Sequence, residues 1–427
     1  MAKKAKRAPR RKRHPIKEGV ILLLLSIVQV ITFSQTAFDF SQGFDVNLKL
    51  LLCFSVYIAV EWLYVIIMKF VFKRINFEIE LIAFFLTGIG LSVLGSTDPD
   101  SIINQSVCII LGIGIYTVLV WILSDIDRAV ALRLPVGIAA ILILVANIFL
   151  GSNINGAKNW IMVGNLFSVQ PSELVKIAFI FVGAATLEKL QTSKNLFLFI
   201  GFSAACVGIL FILQDFGTAV IFFLTFLLIA FMRSGELRTV FLAIASAVLG
   251  GLLIVKFKPY VTKRFAVYRH VWEEGFIDAG GYQQSRTLIA ISSGGLFGLG
   301  LGNGALKNVT FSSTDLVFGV VCEELGLITG LMILASFILF CVFAVKNARM
   351  SRSAFYSIAA TAAAGLLLIQ ACINIFGVTD IIPLTGVTLP FISRGGSSIM
   401  SCWGLLAFIK AGDVRTMLKT YGEIRKK

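Results

Sequence analysis

The sequence predicts an all-α fold: a polytopic membrane helix bundle of about twelve spans. Three observations carry this. Hydrophobic residues make up 57% of the 427 and charged residues only 14%, with a mean hydropathy of +0.91. The apolar residues fall into runs of about 20, the length that crosses a ~30 Å hydrocarbon core at ~1.5 Å per residue. Positive charge collects in alternate breaks between the runs, as it does in cytoplasmic loops. No stretch has the composition of a soluble domain, so the chain reads as one membrane domain.

Taken in order, residues 1–18 form a basic tail: nine of the 38 Lys and Arg residues fall between Lys3 and Lys17. Beside a span such an arm serves as a topology signal and an anchor to anionic membrane lipids, rather than as a nucleic-acid arm. No small-residue cleavage site follows, so the first span is expected to be retained. Spans are predicted at 19–35, 49–70, 78–96, 103–123, 132–150, 171–188, 195–213, 217–233, 238–256, 315–345, 354–377 and 396–411, with a second tail from 412 to 427. Placing the basic tail inside makes every second break cytoplasmic. Those breaks carry Lys69, Lys73 and Arg74; Arg128 and Arg133; Lys189 and Lys194; Arg233 and Arg238; and Lys346, Arg349 and Arg352. The opposite breaks hold Asp39, Asp45, Asp98 and Asp100. Both termini are therefore expected in the cytoplasm, and three longer segments outside: 151–170, 256–314 and 378–395. Long ordered loops in a compact protein usually carry function.

Composition excludes several chemistries. The seven cysteines all lie inside apolar runs without CxxC spacing, and the two histidines, His14 and His270, are far apart. Neither a disulfide framework, a zinc site nor a His-based triad is suggested, so acid–base chemistry falls to carboxylates.

The outer segments hold the candidates. Residues Gly294–Gly304 are rich in glycine, but no βαβ unit flanks them. Close backbone packing is the better reading than a dinucleotide site. Asp315 stands at the mouth of the following helix, as either a helix cap or a chemical carboxylate. Glu323 and Glu324 lie roughly 12 Å deeper; carboxylates inside a membrane are expensive and usually face a polar cavity or a partner. Asn155–Ile161 brings Lys158 and Trp160, an anion-seeking cation and an interface aromatic. In Gln170–Lys176, Glu173 and Lys176 stand three apart on one helical face, the spacing of an ion pair. Asp215 precedes the eighth span. Lys158, Arg264 and Arg394 are cations on the disfavoured side, and with Ser397, Ser398 and nearby glycine amides they could hold a phosphate or pyrophosphate.

These blocks, in this order, resemble the SEDS family (shape, elongation, division, sporulation), whose members include RodA, FtsW and SpoVE. The matches are Gly156-Ala157-Lys158-Asn159-Trp160, Gln170-Pro171-Ser172-Glu173, Gln214-Asp215-Phe216-Gly217-Thr218, the glycine-rich stretch, Thr314-Asp315 through Glu323-Glu324, and Leu389-Pro390-Phe391-Ile392-Ser393 before Gly396-Ser397-Ser398. They extend over roughly 86–410. The resemblance implies a ten-helix core at 78–411, preceded by two additional helices at 19–77. It also implies a peptidoglycan glycosyltransferase activity that polymerises lipid II at the outer face of the bacterial cytoplasmic membrane. A class B penicillin-binding protein that crosslinks the product is the implied partner. The family's essential acid falls on Asp315, as general base on the acceptor hydroxyl. No tightly bound cofactor is implied, and the leaving pyrophosphate needs cations or a divalent metal ion. Two departures from the pattern are the missing Pro-Glu shortly before Thr314-Asp315 and Arg394 where Tyr is common. A lipid II flippase and a scaffold that recruits the transpeptidase are the competing readings.

Overall fold

The computed structural model describes residues 18–39, 45–74, 76–154, 157–163, 167–188, 193–236, 259–351 and 353–413, with 238, 241, 244 and 245 between them. Most of the ninth predicted span, 238–256, and of both tails, at residues 1–17 and 414–427, lies outside the described residues. The other eleven predicted helices are all present.

The chain is a multi-pass membrane protein. Its first eight helices are α1 (Glu18–Ala37), α2 (Leu48–Phe70), α3 (Glu78–Thr97), α4 (Ile102–Ile122), α5 (Ile126–Leu150), α6 (Pro171–Leu187), α7 (Ser193–Ile212) and α8 (Phe216–Ser234). After them come α9 (Pro259–Val267), α10 (Tyr282–Gly294), α11 (Val317–Glu324), α12 (Gly326–Met350), α13 (Ala354–Val378) and α14 (Gly396–Ala411). Among the described residues eight helices are long and apolar enough to cross a membrane: α1 to α5, α8, α12 and α13. The apolar parts of α7 and α14 are shorter, and α6 has 17 residues. Helix α5 begins six residues before the predicted start because Asp125 caps it, its carboxylate accepting from the amides of Asp127 and Arg128.

Two predictions need correction. The tenth predicted helix, 315–345, is broken: the short α11 ends at Glu324 and the long α12 begins at Gly326, whose φ of +87° is cheap only for glycine. The segments predicted to lie outside are also more ordered than loops. The described residues within 151–170 form an antiparallel sheet, β3 (Ser152–Ile154), β4 (Ala157–Val163) and β5 (Phe167–Val169), in the order β3-β4-β5. Between 256 and 314 stand α9, α10 and a 3₁₀ turn, Leu306–Asn308. A two-residue pairing, β1 (Phe38–Asp39) with β2 (Asp45–Val46), joins the ends of α1 and α2.

Helix α3 is central, 83% of its apolar window being buried against 28% for α1 and 33% for α2. Helix α14 packs beside it on α4, α6 and α13. Its fully buried Trp403 is ringed by Phe84, Tyr116 and Phe391 at centroid distances of 5.2, 5.9 and 6.0 Å. At the end of the bundle that holds the 71–77 turn, Lys410 pairs with Glu80 at 3.0 Å with both side chains buried, and Tyr116 donates to the same carboxylate at 2.6 Å. The opposite end gathers the sheet, α9, α10 and the segments before α11 and α14. Here called the loop end, it is where the candidate residues collect.

Candidate active site

Asp315 lies in the turn between the 3₁₀ segment and α11, and neighbours distant in sequence hold that turn. Asn374, buried on α13, donates to the Asp315 carbonyl at 2.8 Å and to the Val387 carbonyl at 2.6 Å. Ser393 donates through Oγ to the Thr314 carbonyl at 2.6 Å, and the Arg394 amide donates to the Ser313 carbonyl at 2.8 Å. The segment 384–394 is thus laced to the backbone around Asp315. From α9, Arg264 reaches in and donates through Nη1 to the Leu384 carbonyl. A Cβ built on Gly386 would stand 3.3 Å from Asp315 Oδ2 and 3.9 Å from Arg264 Nη2. Gly386, with φ +73°, therefore keeps clear a small space bordered by the carboxylate and the guanidinium.

The carboxyl of Asp315 is half-buried and does not cap a helix: α11 takes Leu316 as its N-cap with no side-chain cap hydrogen bond. Burial raises its pKa to about 6, against the opposing pull of the Arg264 guanidinium and a hydrogen bond from Thr314. A carboxylate with that pKa is mostly ionised at neutral pH and accepts a proton more readily than an ordinary aspartate.

The glycine-rich stretch packs backbone to backbone, as its composition predicted. Leu299 and Gly300 amides donate to the carbonyls of Glu323 and Glu324, and Leu327 donates back to Gly295, each at 2.9 Å. These bonds take over carbonyls that a continuous helix would use, which is why the helix breaks at Gly326. A Cβ on Gly294 would overlap the Cys322 carbonyl, and one on Gly326 the Leu296 carbonyl. Glu323 and Glu324 serve this junction rather than a space beside Asp315. Both Glu323 oxygens accept backbone amides, Ala305 at 2.9 Å and Leu306 at 3.0 Å, while Glu324 accepts from Ser96 at 2.7 Å.

A second knot forms around Asp215. It caps α8 through the Thr218 amide at 3.2 Å and accepts from Gln170 at 3.1 Å, Asn159 at 3.3 Å and Ser172 at 3.4 Å. It thereby ties the sheet to α6 and α8. Glu173 and Lys176 form the expected ion pair at 2.7 Å. Lys176, with no exposure, also donates to Gln370 at 2.8 Å, and Gln370 donates to the Thr388 carbonyl at 3.0 Å. Ser398 meets the Thr388 hydroxyl at 2.9 Å, and Ser397 accepts from the Gln170 amide at 3.2 Å. Both serine hydroxyls thus hold buried segments together.

Of the three predicted cations, Arg264 stands beside Asp315. Arg394 joins the same turn through its backbone, but its guanidinium pairs with Asp98, beyond α3. Lys158 lies on β4 with its side chain outside the described residues; Trp160, half-buried on that strand, pairs with Ser152. Sequence reasoning missed Gln370, Asn374, Asp98 and Gly386. The first two had a readable signal, polar amides four residues apart within an apolar helix. Among the described residues no group of three His, Cys, Asp or Glu side chains is placed to hold a metal ion.

Comparison with known proteins finds matches in sequence and in fold. Residues 81–415 match the family described as "Cell cycle protein", which groups FtsW, RodA and SpoVE. The chain is 32% identical over 291 residues, 65% of its length, to the "Probable peptidoglycan glycosyltransferase FtsW" of Wigglesworthia glossinidia brevipalpis, covering 75% of that protein. It is 36% identical over 259 residues to the stage V sporulation protein E of Bacillus subtilis, 57% of this chain and 68% of that one. Its fold matches a chain from a solved structure described as "Structural coordination of polymerization and crosslinking by a peptidoglycan synthase complex", with a TM-score of 0.67 and 23% identity. That match covers 80% of this chain and 97% of the other.

Proposed function

The chain belongs to the cell cycle protein family of FtsW, RodA and SpoVE, and from that premise we propose that it is a peptidoglycan glycosyltransferase polymerising lipid II. The observation that carries this reading is the half-buried Asp315 carboxyl facing Arg264 across the space that Gly386 keeps clear. Asp315 takes the proton from the acceptor sugar's 4-hydroxyl as that oxygen bonds to the donor's anomeric carbon. The bond from that carbon to the pyrophosphate breaks, and undecaprenyl pyrophosphate departs with the electron pair. Proton removal needs a carboxylate within hydrogen-bond reach, and the departing charge needs cations nearby. Arg264 supplies one; Lys158 and Arg394 are the further candidates, with Trp160, Ser397 and Ser398 shaping the surroundings. A divalent cation carried in by the pyrophosphate would add to that charge.

In this reading the protein sits in the cytoplasmic membrane with both termini in the cytoplasm and the loop end outside. Its partner is a class B penicillin-binding protein. The relative described as part of a synthase complex supports such a partner. The deciding experiment incubates purified protein, with and without the penicillin-binding protein, with lipid II and a divalent cation, and separates products by length. Glycan strands support the polymerase. Transfer of intact lipid II across vesicles without any glycan supports the flippase reading and overturns this one.

A further inference from the structure

Helices α1 and α2 precede residue 81, where the family match begins, so the catalytic reading gives them no task. In lipid the apolar attraction between helices is weak, because lipid tails solvate a leucine as well as a neighbouring helix does. Docking there depends on close packing and interhelical hydrogen bonds. The pair meets α3 along one stripe, at positions 84, 88, 92 and 95, which are three or four residues apart. Tyr57 donates to the Phe84 carbonyl at 2.8 Å, and Ser92 meets Thr32 at 3.3 Å. A Cβ on Gly88 would stand 2.9 Å from Gln29 Nε2, and one on Gly95 3.1 Å from the Phe54 ring. At the centre Gln29 donates to Glu61 at 2.8 Å. Glu61 has no exposure and Gln29 only 4%, and no ion pair forms at Glu61 among the described residues.

The opposite side of α3 touches the candidate site. A Cβ on Gly90 would lie 2.7 Å from the Ile392 carbonyl and 2.9 Å from that of Phe391. Ser96 bonds Glu324, and Asp98 just beyond the helix pairs with Arg394. That same stretch grips the Ser313 and Thr314 carbonyls, directly before Asp315. One further bond, from the Leu301 amide to Gln35 at 3.4 Å, ties α1 to the glycine-rich loop.

We propose that α1–α2 is a positioning module, its two helices joined by the buried Glu61–Gln29 hydrogen bond and docked on α3 through Tyr57, Thr32 and the packing of Gln29 on Gly88, that presses α3 against the 391–394 segment and so fixes the place of Asp315. The proposal rests on the assignment of the site to Asp315. Glu61 acts through its hydrogen bond, so a glutamine serves in its place and a leucine does not. Coupling of this kind travels through contiguous packed groups, and small misplacements of reacting groups are expensive.

The test uses full-length Glu61→Leu and Glu61→Gln proteins. It measures kcat and KM for lipid II in polymerisation and, separately, amide exchange over 311–316 and 389–395. Glu61→Leu should lower kcat about tenfold, leave KM within about twofold and speed exchange in both segments. Glu61→Gln should stay within about twofold of the parent in every readout. If Glu61→Leu does not insert, Tyr57→Phe replaces it, with a smaller kcat loss and the same exchange pattern expected. Unchanged kcat and unchanged exchange in the Leu variant, or in Tyr57→Phe where it stands in, overturn the proposal. So does a Gln variant as impaired as Leu, which would place the need on the carboxyl itself. Should the parent make no glycan, the polymerase reading fails, and the exchange data still decide whether α1–α2 hold the Asp315 turn.

Discussion

Asp315→Asn keeps the size and hydrogen-bonding capacity of the side chain while removing its basicity. The backbone around it is held from outside, by Asn374 on its own carbonyl and by Ser393 and Arg394 on the two preceding ones, so the turn should survive the change. A general base contributes typically ~10²- to 10⁴-fold, and that is the expected loss in polymerisation rate, with lipid II binding retained. The pH profile supplies a second check. With the carboxyl at about 6, the ionised fraction is about a tenth of its plateau at one unit below, so the parent's rate should fall tenfold for each unit on the acid side. The Asn variant's residual rate should lose this limb. The stability effect runs the other way. Between the ordinary carboxylate range and about 6 the folded state holds more protons than the unfolded one, so Asp315 costs stability as pH rises through that window. At pH 8 Asp315→Asn should therefore unfold no earlier than the parent. The assay is product length on gels with purified protein, alongside lipid II binding and thermal unfolding in detergent. Near-normal glycan synthesis by a folded Asn variant would refute the reasoning, as would a parent profile flat through pH 6.

Four further outcomes are expected. Arg264→Ala removes the cation that holds the Asp315 pKa down, so the acid limb should move to higher pH and lipid II binding weaken; an unmoved limb would separate the two residues. Asn374→Ala strips two backbone carbonyls of their donor, worth about 1–3 kcal/mol for each group left unsatisfied, and unfolding in detergent together with kcat should both report it. Gly294→Ala forces a methyl into the Cys322 carbonyl, whereas Gly302→Ala meets nothing within 4 Å and bears only the strain of φ +82°. The first should cost at least about 1–3 kcal/mol by overpacking and the second about 1–2 kcal/mol, a difference that detergent denaturation of the two variants resolves. A cysteine placed at Lys427 should be labelled only from the cytoplasmic side, and labelling from outside would overturn the proposed topology.

Much of the candidate site was legible because a few residue types are costly where they stand. Asp315, Glu173 with Lys176, and Asp215 stand out as charged groups at or inside apolar runs, and Arg264 as a cation on the disfavoured side. Each has the buried or half-buried polar partner that such a position demands. The partners were less visible. Asn374 and Gln370 differ from their neighbours only by being polar. Gly386 matters because of what crosses in front of it, and Asp98 because an arginine 296 positions away arrives beside it.

By itself the sequence determined that this is a membrane helix bundle, where eleven of its helices lie, and which ordered motifs it carries. Hydrocarbon thickness imposes a length on each span, and missing backbone partners in lipid impose helicity, both local demands that a linear pattern can express. Only the tertiary structure decided what happens where distant backbones meet. It broke the predicted 315–345 helix at Gly326, formed a sheet within 151–170, and gave Glu323 to the amides of Ala305 and Leu306. It also turned the Arg394 guanidinium to Asp98 and the Ser397 and Ser398 hydroxyls to Gln170 and Thr388. A buried polar atom takes whichever partner packing brings within about 3 Å, and that choice is made in three dimensions, between segments the sequence keeps far apart.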